Sequence, residues 1–518
     1  MKRRKEGYFD FEHHHPNAYL ERKRNVEQGL HARTKILEVL AMTAPTEAAA
    51  AAASNSEEMR EDRTELTIKT ISESAAMSYS SSFHHLRLLE AEKIVKREGK
   101  RPYKWMVTGK GQRSLDEVDL ELEVTKMEKE LLMIPGPVPV LPRIRKAMSK
   151  PMIFHRGDEF GAMYEEIVET LKDIYQTKND LFVLSGSGTC AMEAAIGNLV
   201  GNETKLVCIT IANGKFGERF GEIAAKYKAD AVTLVNVNFE WGHPIELEAV
   251  KEALENSSSS DHKSKIVTMV HNETSTGILN PAKEVGELAR KHDAVFVLDC
   301  ITSIGGDKVP VDELGADIAI VGSQKCLGAP PGLSALSVSK HAWEMIRENE
   351  RRPYYTDLIA YKKSLEKKQT PYTPALPLFF ALHEALAVIR EEGMENRIER
   401  HRGLAKTVRD AVTGMGLRLF PKLNEVSDYS NTVTAIEIPA ANGNITDEQL
   451  RGGMRKRGVI VAGGQGKLKG EIFRIATMGN ITEKEVLKTI QVLREVLMEN
   501  EFIEGEGEGL EEGDHNFD

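Results

Sequence analysis

Short, strongly apolar runs alternate with longer stretches of helical periodicity between Leu131 and Glu499, and this alternation constrains the fold more than any other feature of the chain. A strand buried on both faces forms a continuous apolar run, and parallel strands need crossover connections that are usually helical. The sequence therefore predicts an α/β fold with a mostly parallel sheet flanked by helices. The runs that we expect to form strands are LFVL (181–184), KLVCITI (205–211), KIVTMV (265–270), AVFVLD (294–299) and DIAIVG (317–322).

A smaller unit of different character, at 29–116, precedes this region. Helical periodicity at 32–42, 66–76 and 79–92 is followed by two short apolar strands around a basic turn, in IVKREGKRPYKWMVT. Three helices followed by a β-wing are typical of a winged helix-turn-helix, a small α+β domain, and the stretch resembles the winged-helix domains of transcription regulators. We therefore expect this unit to be a candidate for DNA binding.

The third helix of this unit carries the candidate DNA contacts. Its apolar residues recur at helical spacing (Tyr79, Phe83, Leu86 and Leu89), and Ser78 is available as the N-cap. The residues that would face DNA are Ser80, Ser81, His84, His85 and Arg87 on the helix and Lys96, Arg97, Lys100, Arg101 and Lys104 on the wing. The alternative is a dimerisation or docking module that binds no DNA.

Charge and cysteine usage bound the remaining segments. The 518-residue chain has a net charge of −10, whereas residues 1–110 contain 20 basic and 16 acidic residues, a net charge of +4. We expect a flexible basic arm at 1–28, an acidic linker at 117–130 and an acidic disordered tail at 501–518.

Four dispersed cysteines argue against a disulfide framework and a metal site, and no signal peptide or membrane span is visible. These features predict a cytoplasmic protein without membrane association.

A Gly/Ser-rich turn follows the first apolar run of the larger region, in SGSGTCAMEAA (185–195). Ser187 and Thr189 open a helix there, and the free N–H groups of a helix N-terminus can hold a phosphate. The carboxyl ends of parallel strands are also where such sheets bind ligands. The alternative interpretation is an ordinary strand-to-helix turn with an N-cap.

Asp299 and Lys325 each stand at the end of an apolar strand. Asp299 has no cationic neighbour in the sequence, and a buried carboxylate needs a partner such as a protonated ring nitrogen; an N-cap or a metal ligand is the alternative. Lys325 precedes a Gly/Pro-rich loop in GSQKCLGAPPG, where partial desolvation favours the neutral, reactive amine.

Arg474 lies within a short apolar strand in FRIATMG, near the end of the larger region. An arginine in such a strand needs an anion, and its planar guanidinium matches the two oxygens of a substrate carboxylate. An internal salt bridge is the alternative.

The order of these four features resembles that of the class V aminotransferases, which are pyridoxal 5′-phosphate (PLP) enzymes of fold type I. The chain is most similar to the alanine-glyoxylate and serine-glyoxylate (serine-pyruvate) aminotransferases, over roughly Leu131 to Glu499. The resemblance implies a PLP-binding large domain at 131–395 and a smaller α+β C-terminal domain at 396–500. The motifs that carry it are LMIPGPVPVLPRIRKAM, QTKNDLFVLSGSGTC, ANGKFGER, HNETSTGILNP, GSQKCLGAPPG and RIATMG.

The resemblance also implies a role for each matching residue. Lys325 is the implied catalytic residue and covalent attachment point, and Arg474 would bind the α-carboxylate of the substrate. The other implied cofactor-binding residues are Ser187, Gly188, Thr189 and Gln324 at the phosphate, Phe216 on the ring face, Thr274 near the ring hydroxyl, Asp299 at the ring nitrogen and, from a neighbouring subunit, Thr373 at the phosphate. A homodimer follows from that last contact.

We therefore expect a PLP-dependent aminotransferase that moves an amino group from a small amino acid, alanine- or serine-like, to a 2-oxo acid such as glyoxylate or pyruvate, by a ping-pong mechanism. Three alternatives remain: a PLP-sensing winged-helix transcription regulator, an aminoethylphosphonate transaminase and a cysteine desulfurase. The desulfurase needs a nucleophilic cysteine on a mobile loop, whereas Cys326 stands in a rigid turn and no cysteine follows it.

Overall fold

Two compact units, one within 1–129 and one within 130–518, make up the computed structural model of the protein. Residues 27–42, 66–98, 103–107, 130–200, 206–227, 232–258, 264–439 and 445–503 are described. The predicted basic arm, acidic linker and acidic tail lie almost entirely outside the described residues, as do Lys100 and Arg101 of the predicted wing.

The smaller unit contains three helices and a β-hairpin: α1 (Glu27–Met42), α2 (Ile68–Ser74), α3 (Tyr79–Ala91), β1 (Val95–Glu98) and β2 (Lys104–Val107). The two strands pair in antiparallel register. The Ser78 hydroxyl accepts a hydrogen bond from the Ser81 N–H, which confirms the predicted N-cap of α3. A shared apolar core, in which Trp105 is fully buried, holds the helices and the hairpin together.

The four apolar residues at helical spacing on α3 differ in burial. Leu86 and Leu89 are fully buried, but Tyr79 is 61% exposed and Phe83 is 39% exposed. Helical spacing alone does not distinguish an apolar residue that packs from one on the adjoining face.

The larger unit contains fourteen of the described strands and most of the described helices. The strands are β3 (Leu131–Met133), β4 (Asp180–Ser185), β5 (Leu206–Ala212), β6 (Val232–Asn238), β7 (Ser264–Val270), β8 (Asn272–Glu273), β9 (Ile278–Leu279), β10 (Ala294–Asp299), β11 (Ile318–Gly322), β12 (Leu333–Val338), β13 (Asp428–Tyr429), β14 (Val433–Glu437), β15 (Val459–Gly463) and β16 (Ile472–Ala476). The helices are α4 (Pro142–Ala147), α5 (Asp158–Tyr175), α6 (Gly188–Leu199), α7 (Lys215–Tyr227), α8 (Leu247–Ser258), α9 (Ala282–Lys291), α10 (Val311–Leu314), α11 (Lys340–Glu348), α12 (Leu358–Leu365), α13 (Leu376–Glu392), α14 (Met394–Gly414), α15 (Asp447–Lys456) and α16 (Glu483–Glu499).

A seven-stranded sheet forms the centre of this unit, in the order β4-β12-β11-β10-β7-β5-β6. Six of these seven strands run in one direction and β12 runs in the opposite one, so the prediction of a mostly parallel sheet is confirmed. Successive residues of β4 enter opposite cores: Leu181 and Val183 pack with α5 and α13, whereas Phe182 and Leu184 pack with α6 and α11. Burial on both faces explains why these strands form continuous apolar runs.

A second, four-stranded sheet has the order β14-β16-β15-β3. Its edge strand β3 comes from the beginning of the unit and pairs in parallel with β15, more than 300 residues later in the sequence. Among the described residues, no helix is both long and apolar enough to span a membrane.

Candidate active site

The predicted site residues converge on one edge of the seven-stranded sheet, because the turns after its parallel strands all lie there. Most of them line a single cavity between these turns. The lining residues are Ser187, Gly188, Thr189, Phe216, Thr274, Asp299, Gln324 and Lys325 from the predicted set, together with Arg219, Val270, Asn272, Ile301 and Thr302.

The N-terminus of α6 forms one wall of the cavity. Ser187 occupies the N-cap position, but its side chain makes no capping hydrogen bond. Gly188 lets the Ile301 side chain approach the start of α6 closely, because a Cβ at this position would lie 2.5 Å from Cδ1 of Ile301. First-turn N–H groups of a helix have no intrahelical acceptor, so this wall is suited to bind an anion.

Asp299 ends β10 and is only 4% exposed. Its Oδ1 accepts a hydrogen bond from the Ile301 N–H at 2.7 Å. Burial, with a smaller effect of the nearby Glu273 carboxylate, raises the pKa of the Asp299 carboxyl to about 7, against the lowering effects of that hydrogen bond and of the Arg219 and Lys325 charges. The described residues contain no cluster of acids, histidines and cysteines that could hold a metal ion.

Lys325 follows β11 and extends across the cavity floor. Its Nζ donates a hydrogen bond to the Pro135 carbonyl oxygen. Gly136 makes room for the amine, since a Cβ at that position would lie 2.7 Å from Lys325 Nζ. Burial lowers the pKa of Lys325 to about 8, so a substantial fraction of the amine is neutral near physiological pH.

Two buried amide oxygens in the cavity wall have no hydrogen-bond partner among the described residues: Oε1 of Gln324 and Oδ1 of Asn272. The Asn272 side chain is held through its nitrogen, which donates to the Thr302 carbonyl oxygen at 3.0 Å and to Thr432 Oγ1 at 2.7 Å. An unpaired polar atom in a buried wall is costly, so both amides are suited to a polar ligand.

Glu273 sets the position of α7 and was not identified from the sequence. Its fully buried carboxylate accepts hydrogen bonds from the N–H groups of Phe216, at 3.0 Å, and Gly217, at 2.9 Å. Its other oxygen accepts from the N–H and the hydroxyl of Ser275. Burial raises the pKa of Glu273 while these hydrogen bonds lower it. The motif HNETSTGILNP contains this acid, but nothing in the sequence indicates that it caps a helix that precedes it by more than 50 residues.

Arg219, also not singled out from the sequence, lies one turn after Phe216 on α7. Its Nη1 donates to Thr189 Oγ1 at 3.2 Å, and its guanidinium lies 4.8 Å from the centroid of the Phe216 ring. The side chain therefore connects the start of α6 to the ring that is predicted to stack on the cofactor.

Arg474 lies on β16 outside the cavity lining and is only 4% exposed. It donates to the Thr274 carbonyl oxygen at 2.8 Å, and both Nε and Nη2 donate to the Gly463 carbonyl oxygen, at 3.1 and 2.6 Å. Burial lowers its pKa to about 10. Within the described part of the chain no carboxylate pairs with Arg474, which argues against the alternative of an internal salt bridge.

Arg397, on α14, is a further residue that sequence reasoning missed. It is fully buried, and it donates from Nη2 to the Cys326 carbonyl oxygen at 2.6 Å and from Nε to the Gly305 carbonyl oxygen at 3.0 Å. Glu392 compensates its charge through a 2.6 Å ion pair. This cluster fixes the backbone directly after Lys325.

Thr373 is exposed on the loop between α12 and α13 and does not line the cavity of its own chain. Arg156 anchors the loop through the carbonyl oxygens of Thr370, at 2.6 Å, and Pro371, at 3.0 Å. Its contribution to the site of a second subunit stays a prediction.

Comparison with known proteins identifies the chain's relatives. The family model for class V aminotransferases matches residues 144–466. An uncharacterized aminotransferase of Methanocaldococcus jannaschii is 46% identical over 72% of this chain and 94% of its own length. The alanine-glyoxylate aminotransferase of Rattus norvegicus is 32% identical over 71% of this chain and 88% of its own. The crystal structure of ureidoglycine-glyoxylate aminotransferase from Bacillus subtilis superposes with a TM-score of 0.65 and 32% identity, over 72% of this chain and 94% of that one. The chain therefore belongs to the class V aminotransferases, enzymes of PLP-dependent fold type I.

Proposed function

We propose that this PLP-dependent aminotransferase transfers the amino group of a small amino acid, alanine- or serine-like, to a small 2-oxo acid such as glyoxylate or pyruvate. The observation that carries the proposal is the meeting, in one cavity, of a partly neutral lysine, a buried carboxyl and a helix N-terminus. Glyoxylate appears in the names of both the rat relative and the B. subtilis enzyme, which supports the choice of acceptor.

The residues of the cavity fit the chemical groups of PLP. Lys325 would hold the aldehyde carbon, Asp299 the ring nitrogen and the N-terminus of α6 the phosphate, while Phe216 would stack on the ring. The Asn272 and Gln324 oxygens that lack partners lie in the same wall, where polar groups of the cofactor would reach them. When bound, PLP supplies an electron-accepting ring that stabilises negative charge at the substrate Cα.

The protein's own groups would then carry the proton and orient the substrate. Lys325 Nζ would take the proton from the donor Cα, because its pKa of about 8 leaves the amine partly neutral. Asp299 would pair with the positively charged ring nitrogen, and this pairing would favour the ionised form of the Asp299 carboxyl. Arg474 would bind the α-carboxylate. Carbonyl oxygens orient its guanidinium, and no acidic side chain among the described residues pairs with it.

A half-reaction screen tests the substrate assignment. Purified protein would be mixed with single amino acids, and the loss of the visible PLP absorbance would be followed without an acceptor; glyoxylate or pyruvate should then restore it. Lys325→Ala should abolish turnover, whereas Lys406→Ala, which removes an exposed lysine on α14, should not. A faster half-reaction with aminoethylphosphonate than with alanine or serine would instead assign a phosphonate transaminase.

The desulfurase alternative has less support. The Cys326 thiol is fully buried and donates to the Thr302 carbonyl oxygen at 3.2 Å, and burial raises its pKa to about 12. A thiol in this state is a poor nucleophile at neutral pH. Release of sulfide from cysteine by the purified protein would contradict this reasoning.

We also propose that the enzyme acts as a homodimer in which Thr373 of one subunit completes the phosphate site of the other. Tyr354 and Tyr355 are 85% and 46% exposed beside the Thr373 loop, and both contact the Tyr372 ring. Exposed aromatic residues in a cluster are typical of protein interfaces. Sedimentation analysis should give a dimer, and Tyr354→Asp should shift it toward monomer; a wild-type monomer would contradict the proposal.

A second function, DNA binding by the smaller unit acting as a winged helix, is favoured by the surface of α3. Ser80, His84 and Arg87 are exposed on one face of this helix, as a recognition helix requires, although burial lowers the pKa of His85 to about 4 and keeps it uncharged. A gel shift with the chain's own upstream DNA, with and without PLP, tests the proposal. Binding that is lost in Arg87→Ala would support DNA recognition through α3, a shift that also depends on PLP would support a PLP-sensing regulator, and no shift at low salt would leave a docking module.

A further inference from the structure

The phosphate site as assigned from the resemblance contains no cation. Its residues are Ser187, Gly188, Thr189, Gln324 and Thr373, all of them neutral. The N-terminus of a helix contributes only about half a positive charge. A phosphate group at neutral pH carries between one and two negative charges, and an uncompensated charge in a buried wall is costly. The site therefore requires a further positive group.

Two cationic side chains line the cavity, Lys325 and Arg219. Lys325 is committed to the aldehyde end of the cofactor and is partly neutral, so it is unsuited to balance a phosphate. The Arg219 guanidinium presents a fork of N–H donors that matches phosphate oxygens, and its Nη1 already lies 3.2 Å from Oγ1 of Thr189, a residue of the phosphate site.

Arg219 forms no ion pair with a carboxylate in the described part of the chain, whereas the neighbouring Lys215 is held by Glu222 at 2.7 Å. Its contacts are a hydroxyl and the face of the Phe216 ring, neither of which neutralises its charge. Among the described residues this half-buried guanidinium makes no ion pair, although it interacts electrostatically with the Asp299 carboxyl, and it has N–H donors left for a ligand near the start of α6.

We propose that Arg219 supplies the positive charge that binds the 5′-phosphate of PLP, with the Thr189 hydroxyl orienting its guanidinium. The inference rests on the proposed position of the cofactor in this cavity. It assigns to one turn of α7 two tasks: Phe216 covers the ring, and Arg219 binds the phosphate beside it.

The test compares PLP with pyridoxal, which has the same ring and aldehyde but no phosphate. The dissociation constant of each would be measured by absorbance after removal of bound cofactor, in the wild type, in Arg219→Gln and in Lys226→Gln. The last variant removes an exposed positive charge from the far end of the same helix. We expect Arg219→Gln to weaken PLP binding about 10- to 100-fold, the effect of one charge-assisted hydrogen bond, and to leave pyridoxal binding unchanged. Lys226→Gln should change neither.

Competition provides a second readout. Inorganic phosphate should compete with PLP in the wild type and much less in Arg219→Gln, and Arg219→Lys should restore part of the PLP affinity. Equal weakening of PLP and pyridoxal would overturn the proposal and show that Arg219 acts through the Phe216 ring. Unchanged PLP affinity with a raised KM for the amino donor would assign Arg219 to the substrate instead. This experiment also distinguishes failure of the Arg219 assignment from failure of the proposed cofactor position. If the cofactor position were wrong, the wild type and Lys325→Ala would bind PLP with the same affinity.

Discussion

Asp299→Asn should stabilise the cofactor-free enzyme in alkaline solution while impairing the loaded one. The Asp299 carboxyl is buried, and its Oδ1 accepts a hydrogen bond from the Ile301 N–H. Asparagine preserves the shape of the side chain and that acceptor but cannot ionise. The substitution therefore removes one negative charge from the cavity without opening a space.

The magnitude follows from the pKa of Asp299, which folding raises from 3.8 to about 7. A raised pKa in the folded state means that the native protein binds the proton more tightly than the unfolded chain. Stability from this group is complete below pH 3.8 and is lost as the pH rises through about 7. Above that pH the ionised carboxylate costs about 4 kcal/mol, a cost that asparagine avoids.

Thermal unfolding of the cofactor-free protein at pH 5 and pH 8.5 measures the effect. For a unit of this size, about 4 kcal/mol corresponds to roughly 5 °C in Tm. We expect Asp299→Asn to unfold about 5 °C higher than the wild type at pH 8.5 and less than half as much higher at pH 5. PLP should reverse the order, because the wild-type carboxylate then has a cationic partner.

Asp173→Asn, which removes an exposed acid at the end of α5, serves as the control and should show no pH-dependent difference. If Asp299→Asn were less stable than the wild type at pH 8.5 without cofactor, or if the difference in Tm were equal at both pH values, burial of an uncompensated charge would not be the cause of the raised pKa.

Three further predictions concern the same site. Glu273→Gln should lower the free energy of unfolding by about 2 kcal/mol in a urea titration, because the amide nitrogen cannot accept the hydrogen bonds that cap α7. The rate of PLP attachment in stopped-flow absorbance should rise with pH to a midpoint near 8, as the Lys325 amine loses its proton. Arg397→Met should cost about 3 kcal/mol in the same titration, since two backbone carbonyl oxygens lose their donor and Glu392 keeps only its ion pair with Arg400; an unchanged midpoint would contradict the role of this cluster.

Local signals made much of the larger unit predictable. Asp299 and Lys325 stand out because a charged residue that ends an apolar run has few possible roles. The direction of β12 could not be read in the same way, because a strand buried on both faces has an apolar run whichever way it points. Likewise, nothing local in β3 indicates that it pairs with β15, since that pairing joins distant parts of the chain.

The residues that the sequence did not reveal act through partners far away along the chain. Glu273 caps a helix that precedes it, and Arg397 holds a backbone carbonyl 71 residues before it. Tyr79 and Phe83 show another limit of local patterns, since they fit an apolar period yet lie on the surface. Periodicity reports which residues share a face, and only the packed structure shows which face is covered.

The hydrogen bonds of Arg474 have a consequence for the thermodynamics of the carboxylate binding that we propose for it. The carbonyl oxygens of Thr274, in the turn after β8, and of Gly463, at the end of β15, hold its guanidinium, and one N–H on each terminal nitrogen remains for a ligand. An arginine that is immobilised only on binding loses about 2 kcal/mol of rotamer entropy. Here folding has already ordered the side chain, so binding of a carboxylate would lose little further rotamer entropy. Relative to an arginine that becomes ordered only on binding, this corresponds to a Kd lower by roughly 30-fold.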